Sequence, residues 1–295
     1  MRAIIVGGDS TIGHALAAAL RARGDTIWTT TRRPNPSDGM IRLDLSDRNL
    51  LGQPLPKADL VCFCAAITRF ADCRQNPDLA RTVNVTAPVA LAGQLVRQGT
   101  RALLLSTSAV FDWQTPNVPA SKTPCPTSLY GKLKAEAEAG FRSFGSQASI
   151  VRFAKILHSD LALFTSWIKA LEERRPIEAF TDLSMAPISL DDAVRSLTAV
   201  IDDKAGGIYQ LSGACDISYF DAAVHLADRS GSDRALVQPA SAAEAGIPSE
   251  EITVFSSLDS SRLAQLSCPA PNPFAVLDAV FGSQIRRSAE LSPFK

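Results

Sequence analysis

The apolar run Ala3-Ile4-Ile5-Val6 passes directly into Gly7-Gly8-Asp9-Ser10-Thr11-Ile12-Gly13, and then into apolar residues at helical spacing, Ile12, Leu16, Ala19 and Leu20. An apolar run without alternation reads as a strand covered on both faces. A strand that turns on glycine into a helix is the opening unit of a parallel α/β sheet. The first-turn N–H groups of such a helix have no intrahelical partner, so the turn can hold a pyrophosphate. Gly7 permits the tight turn, and Gly13 lets the helix lie close on the strand. Ser10 stands where the pattern GxxGxxG has its central glycine, and its hydroxyl is a candidate phosphate donor. Thr11 and Ile12 complete the candidate cradle.

The alternation continues. Residues 26–30, 59–63, 102–105 and 149–153 read as strands, and residues 79–96 and 129–144 as helices. This order predicts an α/β fold with a doubly wound parallel sheet, the Rossmann arrangement. After residue 153 the pattern loosens into helical stretches at 161–173, 190–201 and 219–229, with a strand at 207–211. A tail rich in Pro, Ser and Ala follows residue 232, with short helical stretches at 260–266 and 274–281. The expected division is a dinucleotide-binding domain over 1–155, to which 188–211 returns. A smaller C-terminal α/β substrate lobe is expected over 156–187 and 212–295.

Thirty Lys and Arg balance thirty Asp and Glu, so no surplus charge points to nucleic acid or a membrane surface. No apolar stretch approaches the roughly 20 residues that span a bilayer, and Met1-Arg2 leads into a run too short for a signal peptide. A cytoplasmic protein is expected, with a homodimer left open. The six cysteines are scattered and read as buried thiols, and no metal site is expected. His14, His158 and His225 have no carboxylate pattern around them and read as structural. No Gly-x-Ser-x-Gly elbow favours a hydrolase.

The second strand runs into Thr29-Thr30-Thr31-Arg32-Arg33. A site for an unphosphorylated dinucleotide usually has a carboxylate there for the ribose 2′-hydroxyl. Arg32 and Arg33 instead suit a 2′-phosphate, so NADP is expected over NAD. Asp44 and Leu45, after the next short strand, are candidates for the adenine end.

Tyr130 and Lys134, four residues apart, share one helix face. A neighbouring ammonium favours phenolate, so Lys134 is expected to lower the Tyr130 pKa and make a proton shuttle. Together with the loop Gly7–Gly13 and the run Leu105-Ser106-Thr107-Ser108-Ala109-Val110-Phe111-Asp112, this Tyr-x-x-x-Lys resembles the extended short-chain dehydrogenase/reductases. Within them it is similar to the dTDP-4-dehydrorhamnose reductase-like and NAD-dependent epimerase members that act on sugar nucleotides. The resemblance implies an NAD(P)-dependent oxidoreductase acting on a keto or hydroxy group of a nucleotide-linked sugar. It assigns Thr107 to the substrate oxygen, Tyr130 to the proton, and Lys134 to Tyr130 and the nicotinamide ribose. Cys64, Ala65 and Ala66 would lie against the cofactor with Thr68 just beyond, and Asn84 would support the site. The Asp-Glu pair of the family's dehydratases is replaced by Ser108 and Ala109, which disfavours dehydration and leaves a reductase first and an epimerase second. Lys155 stands where the rhamnose reductases have an aromatic residue, and with Ser108 it is a candidate substrate contact. Asp191 and Asp192 read as a charge pair at a helix N-terminus. From another class, a dinucleotide-binding regulator without catalysis competes, but such proteins typically lack the Tyr or the Lys.

Overall fold

The computed structural model describes residues 1–34, 36 and 39–290. Its strands are β1 (Arg2–Val6), β2 (Thr26–Thr31), β3 (Met40–Arg42), β4 (Leu60–Phe63), β5 (Arg101–Thr107), β6 (Ala148–Phe153), β7 (Ile156–Leu157), β8 (Ile177–Phe180), β9 (Ser184–Met185), β10 (Ile188–Ser189), β11 (Gly207–Leu211), β12 (Ile217–Ser218) and β13 (Val237–Ala240). Seven of them form one sheet in the order β11-β6-β5-β4-β1-β2-β3. Every pairing within it is parallel. The expected doubly wound sheet is therefore the observed one.

Both faces are covered, as the unalternating strands require. Ile4 and Val6 join Val61, Phe63, Leu91, Leu133 and Phe141 in one core. Ala3 and Ile5 join Leu16, Leu20, Cys62, Leu103 and Leu197 in the core on the other face. The helices are α1 (Thr11–Ala22), α2 (Phe70–Gln75), α3 (Pro77–Arg81), α4 (Ala87–Arg97), α5 (Leu129–Arg142), α6 (Ala162–Glu172), α7 (Leu190–Asp203), α8 (Tyr219–Ser230), α9 (Ser261–Ala264) and α10 (Pro273–Glu290), of which α1, α4, α5 and α7 supply these residues. A third core gathers Phe164, Trp167, Leu171, Ala223, Leu226, Leu277 and Phe281 from α6, α8 and α10 beside the paired strands β8 and β13.

The helix expected over 79–96 is interrupted. Between α3 and α4 the chain makes a π turn over Thr82–Thr86. Pro88 lacks the N–H that would reach the carbonyl of residue 84, and the ladder widens just before it. Asp192 accepts from the Ser189 backbone N–H at 3.0 Å in a capping box on α7, so it has the structural role expected of it. No helix among the described residues is long and apolar enough to cross a membrane.

Candidate active site

The sheet order reverses between β1 and β4, and ligands of open α/β sheets bind in the crevice at the carboxyl ends of such strands. The glycine turn leaves β1 at that crevice. Gly7 has φ 91°, and a Cβ on it would stand 2.6 Å from the Ala65 nitrogen. Only glycine lets the turn press against the segment that follows β4. A Cβ on Gly13 would stand 2.3 Å from the Gly7 carbonyl oxygen, so the helix start is equally tight. Ser10 caps α1. Its hydroxyl donates to Gly7 O at 2.8 Å and accepts from Gly13 N at 3.0 Å. The serine in the central position thus closes the turn on itself, and its proton is directed at Gly7 rather than outward to a phosphate. Thr11 and Ile12 are the first two residues of α1, whose N–H groups carry the helix's anion-binding capacity.

Cys64, Ala65 and Ala66 follow β4 across the crevice, with Cys64 N and Ala65 N both donating to Val6 O. Burial pushes the Cys64 thiol up to about 12, so it stays an uncharged wall. The next residues are clamped by the π turn. Asn84 Oδ1 accepts from Ile67 N at 2.8 Å, and its Nδ2 donates to Ile67 O at 2.9 Å. Thr68, just beyond, is exposed.

At the far side of the turn, Arg32 and Arg33 leave β2 exposed to solvent. Arg33 Nε lies 3.9 Å from Asp9 Oδ2, and that carboxylate also accepts from the Thr31 hydroxyl. Asp44 follows β3. Its Oδ1 accepts from Ser46 N and Oγ at 2.9 and 2.7 Å. Burial would raise the Asp44 carboxyl, but these bonds and the nearby Arg32 and Arg42 hold it below its ordinary value. Leu45 is buried in the core beside it.

Thr107 ends β5, two strands from β1, and its Oγ1 accepts from Ala109 N at 3.2 Å as it caps the turn Ser108–Val110. Ser108 is buried in that turn. Tyr130 is carried on the first turn of α5, whose N-cap Ser128 accepts from Gly131 N at 3.1 Å. A Cβ on Gly131 would lie 2.0 Å from the Ala109 carbonyl oxygen. That contact brings the start of α5 down onto the turn after Thr107 and fixes where Tyr130 can stand. Phe70 packs against Tyr130 with ring centroids 5.7 Å apart, and Trp113 packs behind Phe70 at 6.2 Å. Trp113 holds φ 59°, an unfavourable value for a bulky residue, in the loop that walls the site.

The expectation that Lys134 lowers the Tyr130 pKa is corrected here. Burial, with Cys73 beside it, pushes the phenol well above its ordinary value. Lys134 is 4% exposed, and its Nζ donates to Leu105 O at 2.6 Å. Burial pushes this ammonium down to about 8 against the opposing pull of Glu138 and Cys64. The lysine is thus moored to β5, two residues before Thr107.

A feature missed in the sequence lies one turn further along α5. Glu138 and Arg152 are both fully buried and paired, with Arg152 Nε to Oε1 at 2.9 Å and Nη2 to Oε2 at 2.7 Å. Ser106 Oγ donates to the same carboxylate at 2.6 Å, and Arg152 Nη1 reaches Gln210 Oε1 at 2.9 Å. This network ties α5 to β5, β6 and β11. Two signals could have exposed it: an arginine inside the apolar run of β6, and an acid continuing the Tyr130–Lys134 stripe. Lys155 follows the carboxyl end of β6 and is exposed. The candidates therefore share one edge of the sheet, from Asp44 past β3 to Lys155 past β6.

The residues at the crevice fit a dinucleotide: a glycine turn too close-packed for side chains, a helix start, and small residues after β4. Among the described residues no group of three His, Cys, Asp or Glu could hold a metal ion. Residues 1–275 match the RmlD substrate binding domain family, and the chain belongs to it. It is 25% identical over 296 residues to the probable low-salt glycan biosynthesis reductase Agl14 of Haloferax volcanii, covering 95% of this chain and 98% of that one. The dTDP-4-dehydrorhamnose reductase of Bacillus anthracis, solved in complex with NADP, superposes with a TM-score of 0.82 at 20% identity, over 96% of this chain and 99% of that one. MoeE5, solved in complex with UDP-glucuronic acid and NAD, reaches 0.80 at 21% identity, over 98% and 100%. The family resemblance read from the sequence is borne out.

Proposed function

We propose that this chain is a reductase that converts the keto group of a nucleotide-linked sugar to an alcohol with a nicotinamide dinucleotide, NADP or NAD. A bound reduced dinucleotide supplies the hydride. Thr107 Oγ1, which accepts from the backbone, keeps its own proton for the carbonyl oxygen of the substrate. Tyr130 gives the proton that this oxygen needs as the hydride reaches its carbon, and it is reprotonated from solvent. Lys134, moored to Leu105 O, has two further N–H donors for the nicotinamide ribose. In this reading Gly7, Ser10, Thr11, Ile12 and Gly13 shape the pyrophosphate turn, and Cys64 to Thr68 wall it. Arg32, Arg33, Asp44 and Leu45 meet the adenosine end. Ser108 and Lys155 border the substrate, with Lys155 offered to its diphosphate. Residues 156–187 and 212–295 are assigned to the substrate lobe.

The observation that carries the reading is the contact of Gly131 with Ala109, which joins the Tyr130 helix to the Thr107 turn at the same edge as the glycine loop. Ser108 and Ala109 stand where the family's dehydratases carry an Asp-Glu pair, which supports a simple reduction over a dehydration. The curated relative Agl14 is itself named a reductase. The test is to mix the protein with NADPH or NADH and dTDP-4-dehydrorhamnose and follow the nicotinamide absorbance. The expected result is loss of reduced dinucleotide matched mole for mole by the alcohol product. A protein that binds dinucleotide but consumes none with this or other 4-keto nucleotide sugars would overturn the reading.

A further inference from the structure

The end of β2 offers no carboxylate in sequence, yet one stands there in space. Asp9 belongs to the turn between β1 and α1, and it leans across to the end of β2. Its Oδ2 accepts from the Thr31 hydroxyl, whose oxygen in turn accepts from Arg33 N at 3.1 Å. The same Oδ2 lies 3.9 Å from Arg33 Nε. Among the described residues Oδ1 receives no hydrogen bond. Asp9 is also fixed from below. Gly8 N donates to Thr30 O at 2.9 Å, and Gly7 N to Thr30 Oγ1 at 3.1 Å, so the turn and the strand end move as one piece.

In doubly wound sheets the adenosine ribose of a dinucleotide lies where the glycine turn meets the end of β2. A carboxylate there accepts from a ribose 2′-hydroxyl and repels a 2′-phosphate, whereas an arginine favours the phosphate. Here the two are placed together, and the acid draws on the arginine that the phosphate would use. We propose that Asp9 is the residue that sets the choice between phosphorylated and unphosphorylated dinucleotide, by accepting from the 2′-hydroxyl through Oδ1 and by holding Arg33 through Oδ2. The inference rests on the reading of the glycine turn as a dinucleotide site. It revises the reading from sequence, in which Arg32 and Arg33 alone decided the matter.

Binding titrations of NADPH and NADH, followed by quenching of protein fluorescence without any sugar substrate, test it. Asp9→Asn keeps the bond from Thr31 while removing the charge, so the fold is expected to melt at the wild-type temperature. The ratio of NADPH to NADH affinity should rise on the order of tenfold, the effect of one neighbouring charge on another at partly exposed distance. Arg33→Ala should move the same ratio the other way. A ratio within about twofold of wild type in Asp9→Asn, with both dinucleotides still bound, would overturn the proposal alone. A wild-type protein that binds neither would overturn the dinucleotide reading and this proposal with it.

Discussion

The two ends of the crevice are built on different principles. At the β1–β2 end the geometry is made by backbone: a glycine at φ 91°, a serine cap and a helix start, all within seven residues. At the β5–β6 end it is made by side chains from four elements, a buried arginine on β6, a buried acid and a buried lysine on α5, a serine on β5 and a glutamine on β11, that tie α5 to the sheet. A site for a phosphate can be assembled from main-chain dipoles and needs little else. A proton donor must instead stand at one position beside a hydroxyl on another element, and that requires long-range fastening. Damage at the first end is therefore local, and damage at the second spreads through the fold.

The largest expected effect is at the side-chain end. Arg152→Met leaves Glu138 charged and unpaired in a dry interior, which costs about 3–5 kcal/mol. Chemical denaturation should show this loss, and the double variant Arg152→Met with Glu138→Leu should recover much of it. A single variant as stable as wild type would break the contrast between the two ends.

Lys134 gives an intermediate effect and a pH signature. Its ammonium titrates at about 8 in the fold, below its ordinary 10.5. Below about 8 both folded and unfolded chains carry the charge, and the fold bears the full cost of burying it. As pH rises from there towards 10.5 the unfolded chain holds the proton that the fold has released, and stability rises. Wild-type stability measured relative to Lys134→Met should therefore climb through this window. A flat difference would mean the lysine is not held as described.

The smallest effect is at the backbone end. Ser10→Ala removes the α1 cap and should cost about 1 kcal/mol. Dinucleotide affinity should stay close to wild type, because the Ser10 proton points to Gly7 O. A large loss of affinity would return Ser10 to the role of phosphate donor that its position first suggested.

The same contrast decides what could be read in advance. Gly7, Gly13, Tyr130 and Lys134 were legible because their meaning lies in spacing along one turn or one helix. The sheet was legible because apolar runs at regular intervals admit few other packings. Glu138 and Arg152 were not, since nothing local joins residues 14 apart on a helix and a strand. The carboxylate of Asp9 is hidden from the sequence for the same reason: it reaches the end of β2 from the neighbouring turn and not along the strand. The direction of the Tyr130 shift is not legible from spacing, because an ammonium one helical turn away need not face the phenol, and Lys134 is bonded to Leu105 O.

In the proposed reduction Tyr130 donates the proton from this fastened edge. The most direct test is Tyr130→Phe, assayed with dTDP-4-dehydrorhamnose at saturating dinucleotide beside a dinucleotide titration and a melting curve. Turnover should fall by on the order of a hundredfold or more, with dinucleotide affinity and melting temperature close to wild type. A variant that turns over at the wild-type rate would mean that the proton comes from another group.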